Sequence, residues 1–238
     1  MEKIKYSIVI PTLNERENIL ILLGRIEALG LRDYEITVVD ENSPDGTYEA
    51  VTEYARGKDN IRCLKNSGVP GLSPSIVTGF ENAHGEFLCC MDGDLQHDEK
   101  CLFKLFEDAA ANDFVIGSRY VEGGGFSEKW GPFRNIISRG ASMLTKFSLS
   151  VDVLDPMSGF FVIRKSAYEN VKKSLDPTGF KIMLELLFHL RNSTGQKYSV
   201  RETGIIFRKR IHGKSKLNCR VMFQFLKMIY NLRKKRRA

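Results

Sequence analysis

Two carboxylates one residue apart, Asp92 and Asp94, directly follow an apolar run at residues 87–91. The residue between them, Gly93, has no side chain, so both carboxylates can turn toward one hard cation. Oxygen ligands of this kind suit Mg²⁺ or Mn²⁺, which such sites typically share with substrate phosphates. A solvated turn, in which Asp94 or Asp98 caps the next helix, is the alternative. The strand-end position favours the metal site.

A second acidic segment, Asp40-Glu41-Asn42, follows a strand-like run at residues 35–39. In an open α/β sheet, ligands bind at the carboxyl ends of the strands. We therefore expect Asp40 to face the same cleft as Asp92 and Asp94, here called the acidic pair. An Asx turn that shapes the following loop is the alternative role for Asp40. His97, close to the acidic pair, is expected to line the site or to cap a helix rather than to bind metal.

The motifs of several enzyme classes are absent from the sequence. No GxGxxG follows the first apolar run and no GxxxxGK[ST] occurs, which argues against dinucleotide oxidoreductases and P-loop NTPases. The HExxH and GxSxG motifs are also missing, so the hydrolases that use them have no support. The five cysteines form no CxxC pair, and Cys89 and Cys90 are adjacent in an apolar run. This pattern predicts buried thiols in a reducing compartment.

The elements that must position the acidic residues alternate through the first half of the chain. Apolar runs predict strands at residues 6–10, 35–39, 61–64, 87–91 and 114–117. Helical spacing predicts helices at residues 15–29, 45–56, 74–83 and 99–110. Strands separated by helices indicate an α/β fold, with a largely parallel sheet covered on both faces.

The second half of the chain is less regular. The triplet Gly123-Gly124-Gly125 predicts a mobile loop, and residues 131–149 have a helical pattern. Beyond them we expect a strand at 158–163, a helix at 180–192 and one or two strands within 197–207. No internal repeat is present.

Composition and charge narrow the class of protein. The 238 residues are 42% hydrophobic and 27% charged, which is typical of a globular protein with one large domain or a domain plus an appendage. Residues 201–238 contain 13 Lys or Arg and one acid, whereas acids exceed bases by five in the rest. This asymmetry indicates one basic face or tail that meets phosphates or an anionic membrane.

Six segments together resemble a known family. In the first half they are residues 10–15 (IPTLNE), 39–47 (VDENSPDGT) and 92–97 (DGDLQH). In the second half they are residues 117–124 (GSRYVEGG), 155–161 (DPMSGFF) and 210–217 (RIHGKSKL). Their order is similar to that of the GT-A-fold inverting glycosyltransferases, and more narrowly of the dolichol-phosphate mannosyltransferase group. The resemblance covers roughly residues 5–217 and implies a GT-A (Rossmann-like) fold, with a mixed, mostly parallel sheet and helices on both faces.

The resemblance also implies roles for individual residues. The metal and donor-diphosphate site, with Mg²⁺ or Mn²⁺ as cofactor, is implied at Asp92, Asp94 and Gln96. Phosphate-binding side chains are implied at Arg119, Arg134, Arg210 and Lys216, with Ser215 beside them. The nucleotide pocket is implied at Pro11, Leu13, Glu15 and Asp40, with Asp40 expected to contact the base. Catalysis would rest on Asp92, Asp94, Arg119, Arg210 and Lys216.

The activity that the resemblance implies is inverting transfer of mannose from GDP-mannose to dolichyl or polyprenyl phosphate. A phosphate acceptor is already ionised near neutrality, with a second pKa of about 6, so the reaction needs no general base. The chain departs from the family pattern at Leu13, Glu41, Gly93 and Asp98. Another donor such as UDP-glucose, or a non-catalytic sugar-nucleotide-binding protein, therefore remains an alternative. Nucleic acid is not an expected partner, because no RNP-like or recognition-helix motif is present.

The C-terminal segment is expected to meet a membrane surface. Residues 219–232 have a helical pattern that is apolar around most of its circumference, and five basic residues follow at 233–237. We divide the chain into a catalytic domain at 1–217 and an amphipathic helix with a basic tail at 218–238. A helix docked on the domain or on a partner is the alternative. No secretory signal or run of 18 apolar residues is visible. We therefore expect a peripheral protein on the cytoplasmic face of a membrane, attached by this segment or through a membrane-anchoring partner subunit.

Overall fold

The computed structural model describes residues 4–66, 68–128, 145, 149, 151–176, 181–192, 197–210 and 219–237. Three of the implied phosphate-site residues, Arg134, Ser215 and Lys216, lie outside the described residues. The helix expected at 131–149 also lies outside them, apart from Thr145 and Leu149, which are both helical and buried.

Strands and helices alternate through the first half as the sequence predicts. The strands are β1 (Tyr6–Thr12), β2 (Tyr34–Asp40), β3 (Ile61–Lys65), β4 (Phe87–Cys90) and β5 (Phe114–Ser118). The helices are α1 (Arg16–Ala28), α2 (Thr47–Tyr54), α3 (Leu72–Glu81) and α4 (Cys101–Ala111). Most of these bounds lie within two residues of the predicted ones.

The second half adds shorter elements. The strands are β6 (Gly125–Phe126), β7 (Phe161–Arg164), β8 (Val200–Gly204) and β9 (Ile206–Phe207). The helices are α5 (Lys165–Val171), a 3₁₀ turn at Lys172–Ser174, α6 (Ile182–Asn192) and α7 (Cys219–Arg237). Part of the expected glycine loop, Gly125, instead pairs in parallel with Ile206 as the start of β6.

Seven strands form one mixed sheet in the order β3-β2-β1-β4-β7-β5-β8. The pairs β1–β2, β1–β4, β2–β3 and β5–β8 are parallel. Strand β7 lies between β4 and β5 and is antiparallel to both. The predicted α/β fold with a mixed, mostly parallel sheet is confirmed.

Helices cover both faces of the sheet because successive strand residues point to opposite sides. Ile8 and Ile10 of β1 pack in the cluster that contains the apolar residues of α1 and α4. Val9, between them, packs in the opposite cluster, which contains residues of α3, α5 and α6. This double cover explains why the central strands are almost continuously apolar.

Helix α7 contributes to the second cluster with one side, through buried Met228, Ile229 and Leu232. Leu226 and Tyr230 remain 49% and 69% exposed. Within the described residues, no helix combines the length and the apolarity needed to cross a bilayer.

Candidate active site

The acidic loop emerges from β4 at the carboxyl edge of the sheet, beside the end of β1. Leu95 adopts a left-handed backbone conformation with φ of 64°, although its side chain is buried. A positive φ is unusual for a residue with a branched side chain and indicates a turn that its surroundings hold in place. The Gln96 backbone N–H donates to Asp94 Oδ1 at 3.1 Å, which closes the turn. The loop therefore presents both carboxylates in a fixed arrangement.

Asp92 is held by the imidazole of His97, whose Nε2 lies 3.2 Å from Asp92 Oδ2. His97 is buried between the rings of Phe160 and Phe207, so it lines the site as expected. Burial alone would raise the pKa of Asp92, but the hydrogen bond to His97 and the nearby charges of Lys181 and Arg210 lower it. Asp92 is therefore ionised and oriented.

The pKa of Asp94 shifts in the opposite direction to that of Asp92. Its burial and the negative charge of Asp92 raise the pKa of its carboxyl, although Arg210 opposes the shift. Two carboxylates in one confined site repel each other, and a bound dication would relieve that repulsion. No group of three or more acidic, histidine or cysteine side chains among the described residues is arranged to hold a metal alone. Asp92 and Asp94 therefore fit an ion that keeps water and phosphate oxygens as its other ligands, as Mg²⁺ does.

Arg210 links the acidic loop to the loop after β1. Its Nη2 pairs with Asp94 Oδ2, and its Nη1 lies 3.6 Å from Glu15 Oε1. The other oxygen of Glu15 accepts a hydrogen bond from Asn18 Nδ2 at 2.7 Å. One guanidinium thus bridges two carboxylates that come from the ends of two parallel strands, which suits the planar fork of arginine.

The segment that carries Arg210 is fixed by Gln96. The backbone N–H of Arg208 donates to Gln96 O at 2.7 Å, and Gln96 Nε2 donates to Arg208 O at 3.0 Å. The guanidinium of Arg208 binds Glu99 at 3.0 Å and Asp98 at 2.8 Å, away from the acidic pair. Gln96 therefore joins two segments of the site, and its role as a metal ligand stays a prediction.

Arg119 lies near Asp92, in a bidentate ion pair with Asp155. Its Nε and Nη2 lie 2.7 and 2.6 Å from the two carboxylate oxygens, and Asp155 is fully buried. The backbone N–H groups of Leu154 and Asp155 donate to the carboxylate of Glu202 at 2.7 and 2.9 Å. Glu202 on β8 thus fixes Asp155, and Asp155 fixes Arg119. Binding of phosphate by Arg119 stays a prediction.

The expected nucleotide residues gather at the ends of β1 and β2. Pro11 is buried in β1, and Leu13 follows the strand half-buried. Asp40 is fully buried and accepts hydrogen bonds from Thr12 Oγ1 at 3.2 Å, Ser43 Oγ at 2.5 Å and Ser43 N at 2.8 Å. These bonds fit the turn-shaping role that the sequence left open. Contact between Asp40 and a base stays a prediction.

Sequence reasoning missed several residues that complete the site. They are Asp155, Gly159, Lys181 and Glu202. The segment at 155–161 carried part of the family resemblance, but it gave no role to Asp155 or Gly159, and no motif marked the other two. Lys181 precedes α6, and its Nζ donates to Met157 O at 3.1 Å. Its position near Asp92 depends on tertiary structure alone.

Comparison with known proteins agrees with this geometry. Residues 7–172 match the Glycosyl transferase family 2 domain. The chain is 41% identical over 234 residues to a dolichol-phosphate mannosyltransferase of Pyrococcus furiosus, an alignment that spans 97% of this chain and 64% of that protein. It is 36% identical to a dolichol-phosphate mannosyltransferase of Saccharomyces cerevisiae, over 96% of this chain and 87% of the relative.

A solved structure shows the same fold. The crystal structure of glucosyl-3-phosphoglycerate synthase from Mycobacterium tuberculosis, in complex with Mn²⁺, UDP and glucosyl-3-phosphoglycerate, superposes with a TM-score of 0.69. The match covers 98% of this chain and 79% of that one at 16% identity, so it supports the fold alone. The family match and the sequence relatives together establish that the chain belongs to glycosyl transferase family 2.

Proposed function

We propose that the protein transfers mannose from GDP-mannose to the phosphate of dolichol or another polyprenol, with inversion at the sugar. The observation that carries the proposal is the pair Asp92 and Asp94 at the strand ends, with Arg210 against Asp94 and Lys181 near Asp92. This arrangement suits a reaction in which two phosphate-bearing molecules meet. The sequence relatives, which are named dolichol-phosphate mannosyltransferases, support the acceptor and the sugar.

The described residues suit electrostatic catalysis rather than proton transfer. His97, the histidine in the site, is buried and bound to Asp92, which leaves it poorly placed to act as a base on an acceptor. A phosphate acceptor needs no base, because it is ionised near neutral pH. Asp92 and Asp94 would hold Mg²⁺ or Mn²⁺, which when bound neutralises charge on the leaving diphosphate. Arg210 orients Asp94 and adds positive charge on the side of Glu15.

We also propose that the protein works at the cytoplasmic face of a membrane, where its lipid acceptor lies. The exposed side of α7 places Leu226 and Tyr230 one turn apart, with exposed Lys227, Arg233 and Lys234 beside them. Apolar and aromatic side chains flanked by basic ones bind anionic lipid surfaces, and each basic residue adds about 1 kcal/mol. A membrane-anchoring partner subunit stays a prediction.

Transfer of labelled sugar tests the reaction directly. The protein is incubated with a panel of GDP- and UDP-sugars and with vesicles that contain polyprenyl phosphate, with Mn²⁺ or with chelator. We expect transfer from GDP-mannose that chelator abolishes, and at least a 100-fold loss in Asp92→Asn. Transfer only from a UDP-sugar would replace the donor, and binding without turnover would favour the non-catalytic alternative.

Vesicle sedimentation tests the membrane surface separately. The wild-type protein should bind vesicles that contain phosphatidylserine and release them in high salt. The variant Leu226→Ser/Tyr230→Ser should bind these vesicles less tightly. Its kinetics with a short-chain, water-soluble acceptor should stay unchanged. Equal binding of the variant and the wild type would contradict the role of α7.

A further inference from the structure

Lys181 lies at the start of α6 and reaches into the wall of the site. Its backbone carbonyl accepts hydrogen bonds from Leu184 N at 3.1 Å and Glu185 N at 3.4 Å, so the first turn of the helix fixes its main chain. Its Nζ donates to Met157 O at 3.1 Å. The side chain of Lys181 is thus held at both ends, at its main chain and at its ammonium.

The segment before β7 contacts both Lys181 and Asp92. Asp155, Met157 and Gly159 alternate along it, and each touches a charged residue of the site. Asp155 pairs with Arg119, Met157 accepts from Lys181, and Gly159 packs on the carboxylate of Asp92. Burial lowers the pKa of Lys181, and the negative charges of Asp92 and Asp155 oppose that shift. Because Asp155 is already in a bidentate pair with Arg119, the charge of Lys181 acts chiefly toward Asp92.

Arg210, which pairs with Asp94, and Lys181, which lies near Asp92, stand on opposite halves of the sheet. Arg210 contacts Glu15, at the end of β1 and within the parallel half formed by β3, β2, β1 and β4. Lys181 contacts the segment that leads into β7, the strand that begins the other half. In open α/β sheets the nucleotide occupies the carboxyl ends of the parallel strands. The donor therefore occupies the half of Arg210, which leaves the half of Lys181 for the acceptor.

We propose that Lys181 binds the phosphate of the lipid acceptor and holds it toward the sugar. This assignment rests on the proposed function. An acceptor phosphate oxygen forms a bond to the anomeric carbon, while the bond from that carbon to the donor diphosphate breaks. The electron pair leaves with the nucleoside diphosphate, and no proton moves. The ammonium of Lys181 lowers the repulsion between the acceptor phosphate and Asp92.

The test compares Lys181→Gln and Lys181→Arg with Lys104→Gln, a variant at an exposed position on α4. Two equilibrium measurements are made with Mn²⁺ present, binding of GDP and binding of a short-chain isoprenyl phosphate, together with KM for each substrate. We expect Lys181→Gln to weaken isoprenyl phosphate binding and raise the acceptor KM by roughly 10- to 100-fold. GDP affinity should change less than threefold, Lys181→Arg should recover part of the loss, and Lys104→Gln should behave as wild type.

The binding measurements separate this inference from the proposed function. If GDP-mannose proves not to be the donor but Lys181→Gln still loses isoprenyl phosphate, the proposed donor fails and the role of Lys181 stands. An equal loss of GDP and isoprenyl phosphate affinity would overturn the assignment to the acceptor. Unchanged isoprenyl phosphate binding in Lys181→Gln, or its absence in the wild-type protein, would also overturn it.

Discussion

Gly159 packs directly against the carboxylate of Asp92. A Cβ at position 159 would lie 2.9 Å from Asp92 Cγ and closer still to Oδ2, so any side chain there must displace the carboxylate. The same oxygen, Oδ2, also lies 3.2 Å from His97 Nε2. Asp92 is therefore held by an imidazole and packed against a bare backbone, and the absence of a side chain at position 159 is a condition for its placement.

Gly159→Ala should therefore damage the metal site while Gly93→Ala is tolerated. A Cβ at Gly93 would lie 3.2 Å from Thr12 Cγ2 and 3.3 Å from Ile10 Cγ2, which a shift of a few tenths of an ångström relieves. We expect Gly159→Ala to weaken Mn²⁺-stimulated transfer roughly 100-fold, because a displacement of about 1 Å at a reacting group costs that much. Gly93→Ala should stay within threefold. Manganese titration of both variants measures the difference, and equal behaviour would contradict the packing argument.

The fold could largely be predicted from the sequence because strands and helices alternate regularly through its first half. Burial on both faces of a sheet is indicated by apolar runs such as Ile8–Ile10 and by the helical spacing of Ile19, Leu22 and Leu23. The position of β7 between β4 and β5 could not be predicted. Its four residues predict a strand, but their pattern is the same for a parallel and an antiparallel strand. The antiparallel pairing depends on chain connections that periodicity does not encode.

The acidic pair could be predicted because it is local in sequence. Most of the residues around it are distant in sequence, and their contacts arise only from folding. Glu202 is 47 residues from Asp155, and Arg210 is 116 residues from Asp94. An isolated glutamate or lysine in the sequence is usually a solvated surface residue, so no pattern marked Glu202 or Lys181.

Loss of the Asp155 charge should destabilise the fold. Asp155→Asn leaves the Arg119 guanidinium, 8% exposed, without its counter-charge. Breaking a buried ion pair on one side typically costs about 3–5 kcal/mol. We expect the free energy of unfolding in urea to fall by about 3 kcal/mol. Glu53→Gln, which breaks the exposed pair with Arg56, should cost less than about 0.5 kcal/mol. A similarly small loss of unfolding free energy in both variants would show that the Arg119–Asp155 pair stabilises the fold no more than a surface ion pair does.

Arg210→Lys should impair catalysis although it keeps the charge. A lysine ammonium cannot bridge Asp94 and Glu15 with two nitrogens, as the guanidinium does. We expect kcat/KM for the donor to fall roughly 10- to 100-fold. Arg208→Lys is the matched control, because its side chain binds Glu99 and points away from the acidic pair. That variant should remain within about threefold of wild type, and steady-state kinetics with varied donor compare the two.

A buried acid beneath α7 should give the protein a measurable pH dependence of stability. Burial raises the pKa of Glu185 to about 7, with the charge of Asp176 adding to the shift and Lys235 opposing it. Because the folded state holds this proton more tightly than the unfolded chain, Glu185 lowers the free energy of unfolding as pH rises from about 4.5 to 7. His189, one turn along α6, acts in the opposite sense. Burial lowers its pKa to about 4, so stability is lost as pH falls from about 6.5 to 4.

Replacing Glu185 by glutamine should remove the first effect and leave the second. The amide oxygen of Gln can still accept from Asp176 N, which donates to Glu185 Oε2 at 2.8 Å. We expect Glu185→Gln to be more stable than wild type by about 2–3 kcal/mol at pH 8 and nearly equal to it at pH 4. Between these limits the free energy of unfolding of the variant should rise with pH from about 4 to 6.5, where His189 loses its proton. In the wild-type protein the opposite effect of Glu185 flattens the dependence of stability on pH. Urea unfolding of both proteins from pH 4 to 8 measures the two curves, and parallel curves would mean that Glu185 titrates normally.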